Sequence, residues 1–230
     1  MIERNDLFDY GYYIYQNSNY FKFSIDSILL AEFIKVKNNQ KILDLCTGNA
    51  PIPMILTTKN NTLDITAIEI QKGIYDLAEK SIIENNLSNI KLINSDAKGY
   101  KGDQKFDIVI CNPPYFKVDE KSELNESIEK RIARHEVAIT LPDIIECAYS
   151  NLKETGWFYI VHRSDRLIDV INKLETKKFG IRRITFISTN NDTKCELFLL
   201  EASKNKKSDP KITTINVKNL KTYKNIFKEV

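Results

Sequence analysis

The stretch Phe106-Asp107-Ile108-Val109-Ile110-Cys111-Asn112-Pro113-Pro114-Tyr115 predicts both the fold and the position of the site. Its apolar first half is typical of a buried strand in a parallel sheet. The two prolines can neither donate to a sheet ladder nor enter a helix interior. The chain therefore has to leave the sheet at Asn112 in a stiff, extended path. Open α/β sheets bind their ligands at this carboxyl edge of the strands.

The turn brings two hydrogen-bond acceptors and an aromatic ring to that edge. The side-chain oxygen of Asn112 and the carbonyl oxygen of Pro113 form an acceptor pair that suits an NH₂ group on a flat molecule. The Tyr115 ring offers a face on which such a molecule can stack, and a hydrophobic plug is the alternative role for this ring. The turn is therefore a candidate binding site for a planar amine.

The composition is that of an ordinary globular protein with one buried core. Of its 230 residues, 42% are hydrophobic and 28% are charged. No apolar run approaches the roughly 20 residues of a membrane-spanning helix, and the polar N-terminus does not resemble a secretory signal. Four scattered cysteines without a C-x-x-C pair argue against zinc and disulfides and favour a cytoplasmic location. His135 and His162 lack partners at metal-ligand spacing, so we expect no metal.

Strands and helices alternate over residues 41–177, which predicts a doubly wound, mostly parallel sheet of the α/β class. The last two of seven predicted strands have no helix between them and are expected to form an antiparallel hairpin. We expect one domain over residues 1–203, in which residues 1–40 form an N-terminal cap and helix. Residues 204–230 carry eight lysines. They are interpreted as a C-terminal extension, either an RNA-binding helix or a disordered tail.

Acidic residues end three successive strands of this prediction, and Asn112 ends the fourth. Asp44 precedes a tight turn at Gly48, and Glu69 lies about 20 residues further on, the usual distance to an acid that binds ribose in nucleotide folds. Asp96 follows the third strand, within reach of an adenine amino group. Taken singly, these acids could instead be a turn former, a surface acid and a helix cap. Their common position predicts a nucleotide-type site.

With acidic residues at the ends of three successive strands and Asn112 at the end of the fourth, the chain resembles the class I S-adenosylmethionine-dependent methyltransferases. Their first motif is commonly D-x-G-x-G-x-G, and here it stands as Asp44-Leu45-Cys46-Thr47-Gly48-Asn49-Ala50, with small residues at the outer glycine positions. A dehydrogenase is less favoured, because a pyrophosphate cradle needs more glycines at the helix N-terminus. The resemblance implies a Rossmann-like methyltransferase fold with S-adenosylmethionine as cofactor. It implies these cofactor-binding residues: Asp44, Cys46, Gly48, Glu69, Ile70, Asp96, Ala97 and Asn112.

A wider pattern is similar to the bacterial tRNA (adenine-N6)-methyltransferase family, whose members modify the adenosine beside the anticodon of valine tRNA. It consists of residues 24–30, the stretch Asn112-Pro113-Pro114-Tyr115-Phe116 and Ala133-Arg134-His135-Glu136, and it extends over residues 7–202. The resemblance implies a methyltransferase domain over residues 1–203 and tRNA as the partner. We expect no membrane contact, and the oligomeric state stays open, with a monomer slightly favoured. It implies that Asn112, Pro113 and Tyr115 are catalytic. The residues expected to contact substrate RNA are Tyr115, Phe116, Arg131 and Arg134.

Other functions fit parts of the same pattern. The acceptor pair also suits a glutamine side chain, as in N5-methylation of a translation factor. Such enzymes usually carry a sizeable helical domain before the cofactor loop. Only about 40 residues precede the loop here, which argues against this alternative. A guanine-N2 methyltransferase of ribosomal RNA is a further enzyme alternative. The altered glycine motif and the lysines of the C-terminus would also fit a catalytically silent RNA-binding protein. The charges of residues 117–136, Arg131 and Arg134 among them, could belong to a solvated loop.

Overall fold

The computed structural model describes residues 1–20, 23–113, 139–188, 194–218 and 220–227. Within these ranges the centre of the fold is an eight-stranded sheet, and a separate two-stranded hairpin precedes it. The hairpin consists of β1 (Ile2–Asp6) and β2 (Tyr13–Asn17). The strands of the sheet are β3 (Lys41–Leu45), β4 (Asp64–Glu69), β5 (Ile90–Asn94), β6 (Phe106–Cys111), β7 (Leu152–Arg163), β8 (Phe179–Ser188), β9 (Leu197–Lys204) and β10 (Lys211–Asn216).

The strand order of the sheet is β10-β8-β9-β7-β6-β3-β4-β5. β9 runs antiparallel to both of its neighbours, and all other neighbouring pairs are parallel. The chain winds outward from β3 to β5 and then continues at β6 on the other side of β3. Such a reversal opens a crevice at the carboxyl ends of the central strands. The predicted doubly wound, mostly parallel sheet with a hairpin of β8 and β9 is confirmed.

Helices cover both faces of the sheet. They are α1 (Ile25–Phe33), α2 (Pro51–Lys59), α3 (Lys72–Glu84), α4 (Leu141–Asn151) and α5 (Leu167–Thr176). Because successive side chains of a strand point to opposite faces, Ile42 packs in the core with α1 and α2, whereas Leu43 packs with α4 and α5. None of the helices in the described part of the chain has the length and apolar character needed to cross a bilayer.

The sheet of the described residues has one strand more than the seven that the sequence predicted. The additional strand, β10, comes from the expected C-terminal extension and pairs in parallel with β8, where the hydroxyls of Thr185 and Thr213 are 2.8 Å apart. Beyond it, Val217 and Phe227 are buried, and the Phe227 ring meets the Phe33 ring edge-on with centroids 5.5 Å apart. The described residues of this segment form a strand and turns against the core rather than a helix.

The N-terminal hairpin packs on α3 beside the loop that follows β3. The Ser81 hydroxyl on α3 accepts from the backbone N–H of Tyr15 at 2.9 Å. From the loop, the Asn49 side chain donates to the Tyr15 carbonyl oxygen at 3.0 Å. The expected N-terminal cap is therefore attached to the elements that border the crevice.

A buried carboxylate, that of Glu32 on α1, joins both ends of the chain. The Tyr10 hydroxyl and the backbone N–H of Asn225 each donate to it at 2.9 Å. The Lys59 ammonium lies 3.4 Å from the same carboxylate and also donates to the carbonyl oxygens of Ala31 and Glu32 at 2.8 and 2.9 Å. These carbonyls lie in the last turn of α1, where a helix lacks internal donors and favours a cation.

We expect Glu32→Ala to lower the free energy of unfolding by about 3 kcal/mol, because it leaves the buried Tyr10 hydroxyl without its acceptor and the largely buried Lys59 ammonium without its counter-charge. Glu84→Ala is the matched control, since the Glu84 carboxylate also accepts from a tyrosine hydroxyl, that of Tyr15, but lies at an exposed position. We expect Glu84→Ala to lower the free energy of unfolding by less than about 1 kcal/mol. Urea-induced unfolding measures both values, and equal losses would contradict the role of Glu32.

Candidate functional site

The loop between β3 and α2 has a left-handed backbone at alternate residues. The φ angles of Cys46, Gly48 and Ala50 are 57°, 60° and 63°. These are the three glycine positions of the D-x-G-x-G-x-G motif. Gly48 adopts this conformation freely, whereas Cys46 and Ala50 carry side chains that make it costly, by about 1–2 kcal/mol each. A Cβ atom built on Gly48 would meet nothing within 4 Å. At this position the loop faces open space that a ligand can fill.

The Asp44 carboxylate is buried beneath this loop, 1% exposed. The Thr47 hydroxyl donates to its Oδ2 at 2.6 Å, whereas Oδ1 has no hydrogen-bond partner among the described residues. Burial raises the pKa of Asp44 to about 7, the bond from Thr47 opposes this shift, and the nearby Glu69 carboxylate adds to it. A buried acceptor without a donor is costly unless a ligand supplies one. The site therefore favours a cationic donor at Oδ1.

The carboxylate of Glu69, the last residue of β4, is fixed by backbone donors. The N–H groups of Gly48 and Gln71 donate to its two oxygens at 2.9 and 2.8 Å. Burial raises the pKa of Glu69, and these hydrogen bonds counteract the shift. Each carboxylate oxygen has a second lone pair, which can accept a hydroxyl from a ligand. The bond from Gly48 also ties the loop after β3 to the end of β4.

The residues after β5 present both exposed and buried groups to the same edge. Asp96 is exposed, and its side chain accepts from the backbone N–H of Lys98 at 2.8 Å. Ala97 is buried, whereas Ile70, which follows β4, is 42% exposed. An apolar side chain that stays exposed beside polar groups is suited to cover a flat ligand.

Asn112 leaves the end of β6 as the sequence predicted, and α1 begins beside it. Its side-chain Nδ2 donates to the hydroxyl of Ser27 at 2.8 Å. Ser27 is buried in the first turn of α1, and Pro113 is buried directly after Asn112. The thiol of Cys111 interacts with that of Cys46 across the neighbouring strand ends, and burial raises the pKa of Cys111.

The described site residues that the sequence predicted lie at the carboxyl ends of four adjacent strands. They are Asp44, Cys46, Gly48, Glu69, Ile70, Asp96, Ala97, Asn112 and Pro113. The predicted residues that lie outside the described part of the chain are Tyr115, Phe116, Arg131 and Arg134. The roles of both groups remain predictions.

Three polar residues of the site were not predicted. Thr47 could have been found, because it follows Asp44 by only three positions within the same turn. Asn49, which contacts β2, and Ser27, which contacts Asn112, have partners 34 and 85 residues away in sequence. A hydrogen bond over such a separation leaves no local pattern in the sequence.

The model of the methyltransferase small domain family matches residues 20–182. A curated tRNA1(Val) (adenine(37)-N6)-methyltransferase of Flavobacteriaceae bacterium (strain 3519-10) is 27% identical over 195 residues, 84% of this chain and 81% of the relative. Its counterpart in Pseudoalteromonas translucida is 31% identical over 135 residues, 59% and 56% of the two chains. A crystal structure of a methyltransferase from Pyrococcus furiosus has a TM-score of 0.62 at 17% identity and covers 86% of this chain and 92% of its own. The last match concerns the fold alone.

The raised pKa of Asp44 predicts a pH dependence of stability. Between the ordinary value of 3.8 and about 7 the folded state holds a proton that the unfolded state has lost, so stability falls as the pH rises through this window. Asp44→Asn removes this titration. We expect the stability of Asp44→Asn relative to the original protein to increase by about 1–2 kcal/mol from about pH 5 to pH 7. Urea-induced unfolding at several pH values measures it, and a constant difference would contradict the burial argument.

Proposed function

Since the chain belongs to the methyltransferase small domain family, we propose that it methylates N6 of an adenosine in tRNA in the cytoplasm, with S-adenosylmethionine as donor. The observation that supports this most is the position of Asn112 and Pro113 directly after β6, at the same edge of the sheet as Asp44, Gly48 and Glu69. The relatives named above act, by their names, on adenine 37 of tRNA1(Val). We propose the same adenosine, beside the anticodon, as the target.

The residues of the crevice fit the donor molecule group by group. When bound, S-adenosylmethionine supplies an electrophilic methyl carbon on a positively charged sulfur. Asp44 Oδ1, which lacks a donor among the described residues, accepts from the ammonium of the methionine end. Glu69 accepts from the ribose hydroxyls with its remaining lone pairs. Ile70 and Ala97 flank the adenine, and Asp96 accepts from its amino group.

Asp44 couples this binding to pH. Because its pKa is raised to about 7, part of the free protein holds a proton on this carboxyl near neutral pH. An ammonium binds to the carboxylate and not to the protonated acid, so the affinity for the donor increases as the pH rises toward that value. The open space at Gly48 lets the loop backbone approach the same end of the ligand.

At the other side of the crevice the turn after β6 positions the substrate base. The lone pair of adenine N6 is delocalised into the ring, which makes it a weak nucleophile. Asn112 Oδ1 and the Pro113 carbonyl oxygen would accept its two hydrogens, orient the nitrogen toward the methyl group of the donor, and stabilise the positive charge that develops on it as the sulfur–carbon bond breaks and the sulfur keeps the electron pair. The methylated nitrogen then loses a proton to water, so no strong general base is needed.

The remaining contacts to RNA are proposed for residues outside the described ranges. Tyr115 and Phe116 would stack on an adenine that has been turned out of the RNA stack. Arg131 and Arg134 would contact phosphates, which position an RNA but do not identify its bases.

We expect the protein to transfer label from methyl-labelled S-adenosylmethionine to unmodified tRNA, with N6-methyladenosine as the labelled nucleoside after digestion. Asn112→Ala should lower kcat by about 100-fold or more, because one of the two acceptors is lost. Label in guanine N2, or transfer only to a glutamine-containing translation factor, would overturn the choice of substrate. Absence of both transfer and cofactor binding in calorimetry would favour a silent RNA-binding protein.

Gly48→Ala should weaken S-adenosylmethionine binding at least tenfold, because the added methyl group enters space that the ligand needs. Gly11→Ala is the matched control, since Gly11 also has a positive φ, 75°, and no atom within 4 Å of an added Cβ, but lies in the N-terminal hairpin. Both variants should lose about 1 kcal/mol of stability from backbone strain. Equal affinities in calorimetry would show that the ligand does not approach Gly48.

A further inference from the structure

The hydrogen bond between Asn112 and Ser27 connects the proposed acceptor turn to a helix that begins 87 residues earlier in the chain, at Ile25. We infer that Ser27 is a positioning residue, which holds the side-chain amide of Asn112 with its oxygen toward the substrate nitrogen. This inference rests on the proposed function, because it assumes that Asn112 Oδ1 accepts from the base.

Ser27 lies in a buried and well-packed part of α1. It is 5% exposed, and the three residues that follow it, Ile28, Leu29 and Leu30, are fully buried against the sheet and α2. Its backbone N–H donates to the carbonyl oxygen of Ser24 at 3.2 Å, which fixes the first turn of the helix. The hydroxyl is therefore held by the core of the protein and not by a surface loop.

The planar amide of Asn112 makes the direction of this bond important. Its oxygen can only accept and its nitrogen can only donate, and the two point in different directions from one carbon. With Nδ2 bound to the Ser27 hydroxyl at 2.8 Å, the oxygen points in a different direction from that hydroxyl. The opposite orientation would present two N–H donors to a substrate nitrogen that also carries hydrogens, and no acceptor would face it.

Loss of the Ser27 hydroxyl should therefore affect catalysis more than cofactor binding. The residues proposed to hold S-adenosylmethionine, Asp44 and Glu69, are fixed by Thr47, Gly48 and Gln71 and do not depend on Ser27. Without the bond from Asn112 Nδ2 to the Ser27 hydroxyl, the amide spends less time in the productive orientation, so fewer bound adenines are aligned with the methyl group.

The test compares Ser27→Ala with Ser81→Ala in the full chain. Ser81 is an equally buried helical serine, but its hydroxyl bonds Tyr15 and Leu77 in the body of the fold. Each variant is assayed with unmodified tRNA for kcat and by calorimetry for the Kd of S-adenosylmethionine. We expect Ser27→Ala to lower kcat about tenfold or more with Kd unchanged within about twofold, whereas Ser81→Ala loses stability but retains kcat. Ser27→Thr, which keeps the hydroxyl, should recover most of the activity.

Two outcomes overturn the inference. One is a kcat for Ser27→Ala no lower than that of Ser81→Ala. The other is a folded Ser27→Thr variant with a kcat as low as that of Ser27→Ala, which would show that the hydroxyl is not the group that matters. A failure of the proposed function is distinguishable, because the original protein itself would then transfer no label to adenine N6 of tRNA, whatever the variants at Ser27 show.

Discussion

The hydrogen bond from the Gly48 N–H to the buried carboxylate of Glu69 is the constraint on which the site depends. It joins the loop after β3 to the end of β4 and holds a backbone that is left-handed at every second residue. The Thr47 N–H reinforces it by donating to the Ile68 carbonyl oxygen at 2.9 Å. The chain accepts the strain at Cys46 and Ala50 because these bonds and the surrounding core overdetermine the loop. The conformation of the loop is therefore set by the protein's own hydrogen bonds.

The same helix, α1, serves the site at one end and the stability of the fold at the other. Ser27 in its first turn contacts Asn112, and Glu32 near its last turn contacts both terminal segments of the chain. One helix therefore connects the acceptor turn with both the N- and the C-terminal segments of the chain.

The elements of the sheet and the positions of most site residues could be predicted from local sequence pattern, whereas contacts between distant parts of the chain could not. The alternation of apolar residues, the prolines after Asn112 and the acids near strand ends indicated the sheet, its order of elements and the described part of the site. β10 was missed although Ile212-Thr213-Thr214-Ile215 has strand-forming residues, because the surrounding lysines resembled a solvated tail. Its pairing with β8, like the bond from Asn112 to Ser27, depends on contacts between distant parts of the chain. Such contacts are decided by the tertiary fold and not by neighbouring residues.

β9 and β10 lie beyond the part of the chain that the family model matches. The family match ends at residue 182, within β8, yet β9 inserts between β7 and β8, and β10 covers the outer side of β8. A fragment trimmed to the match would leave β7 with an unpaired, apolar edge and would uncover the Phe33 ring that Phe227 now shields. Open strand edges of this kind recruit other chains into intermolecular sheets. In the full chain β9 pairs with this edge of β7 and Phe227 covers the Phe33 ring, so the C-terminal segment completes both the sheet and the core beyond the family match.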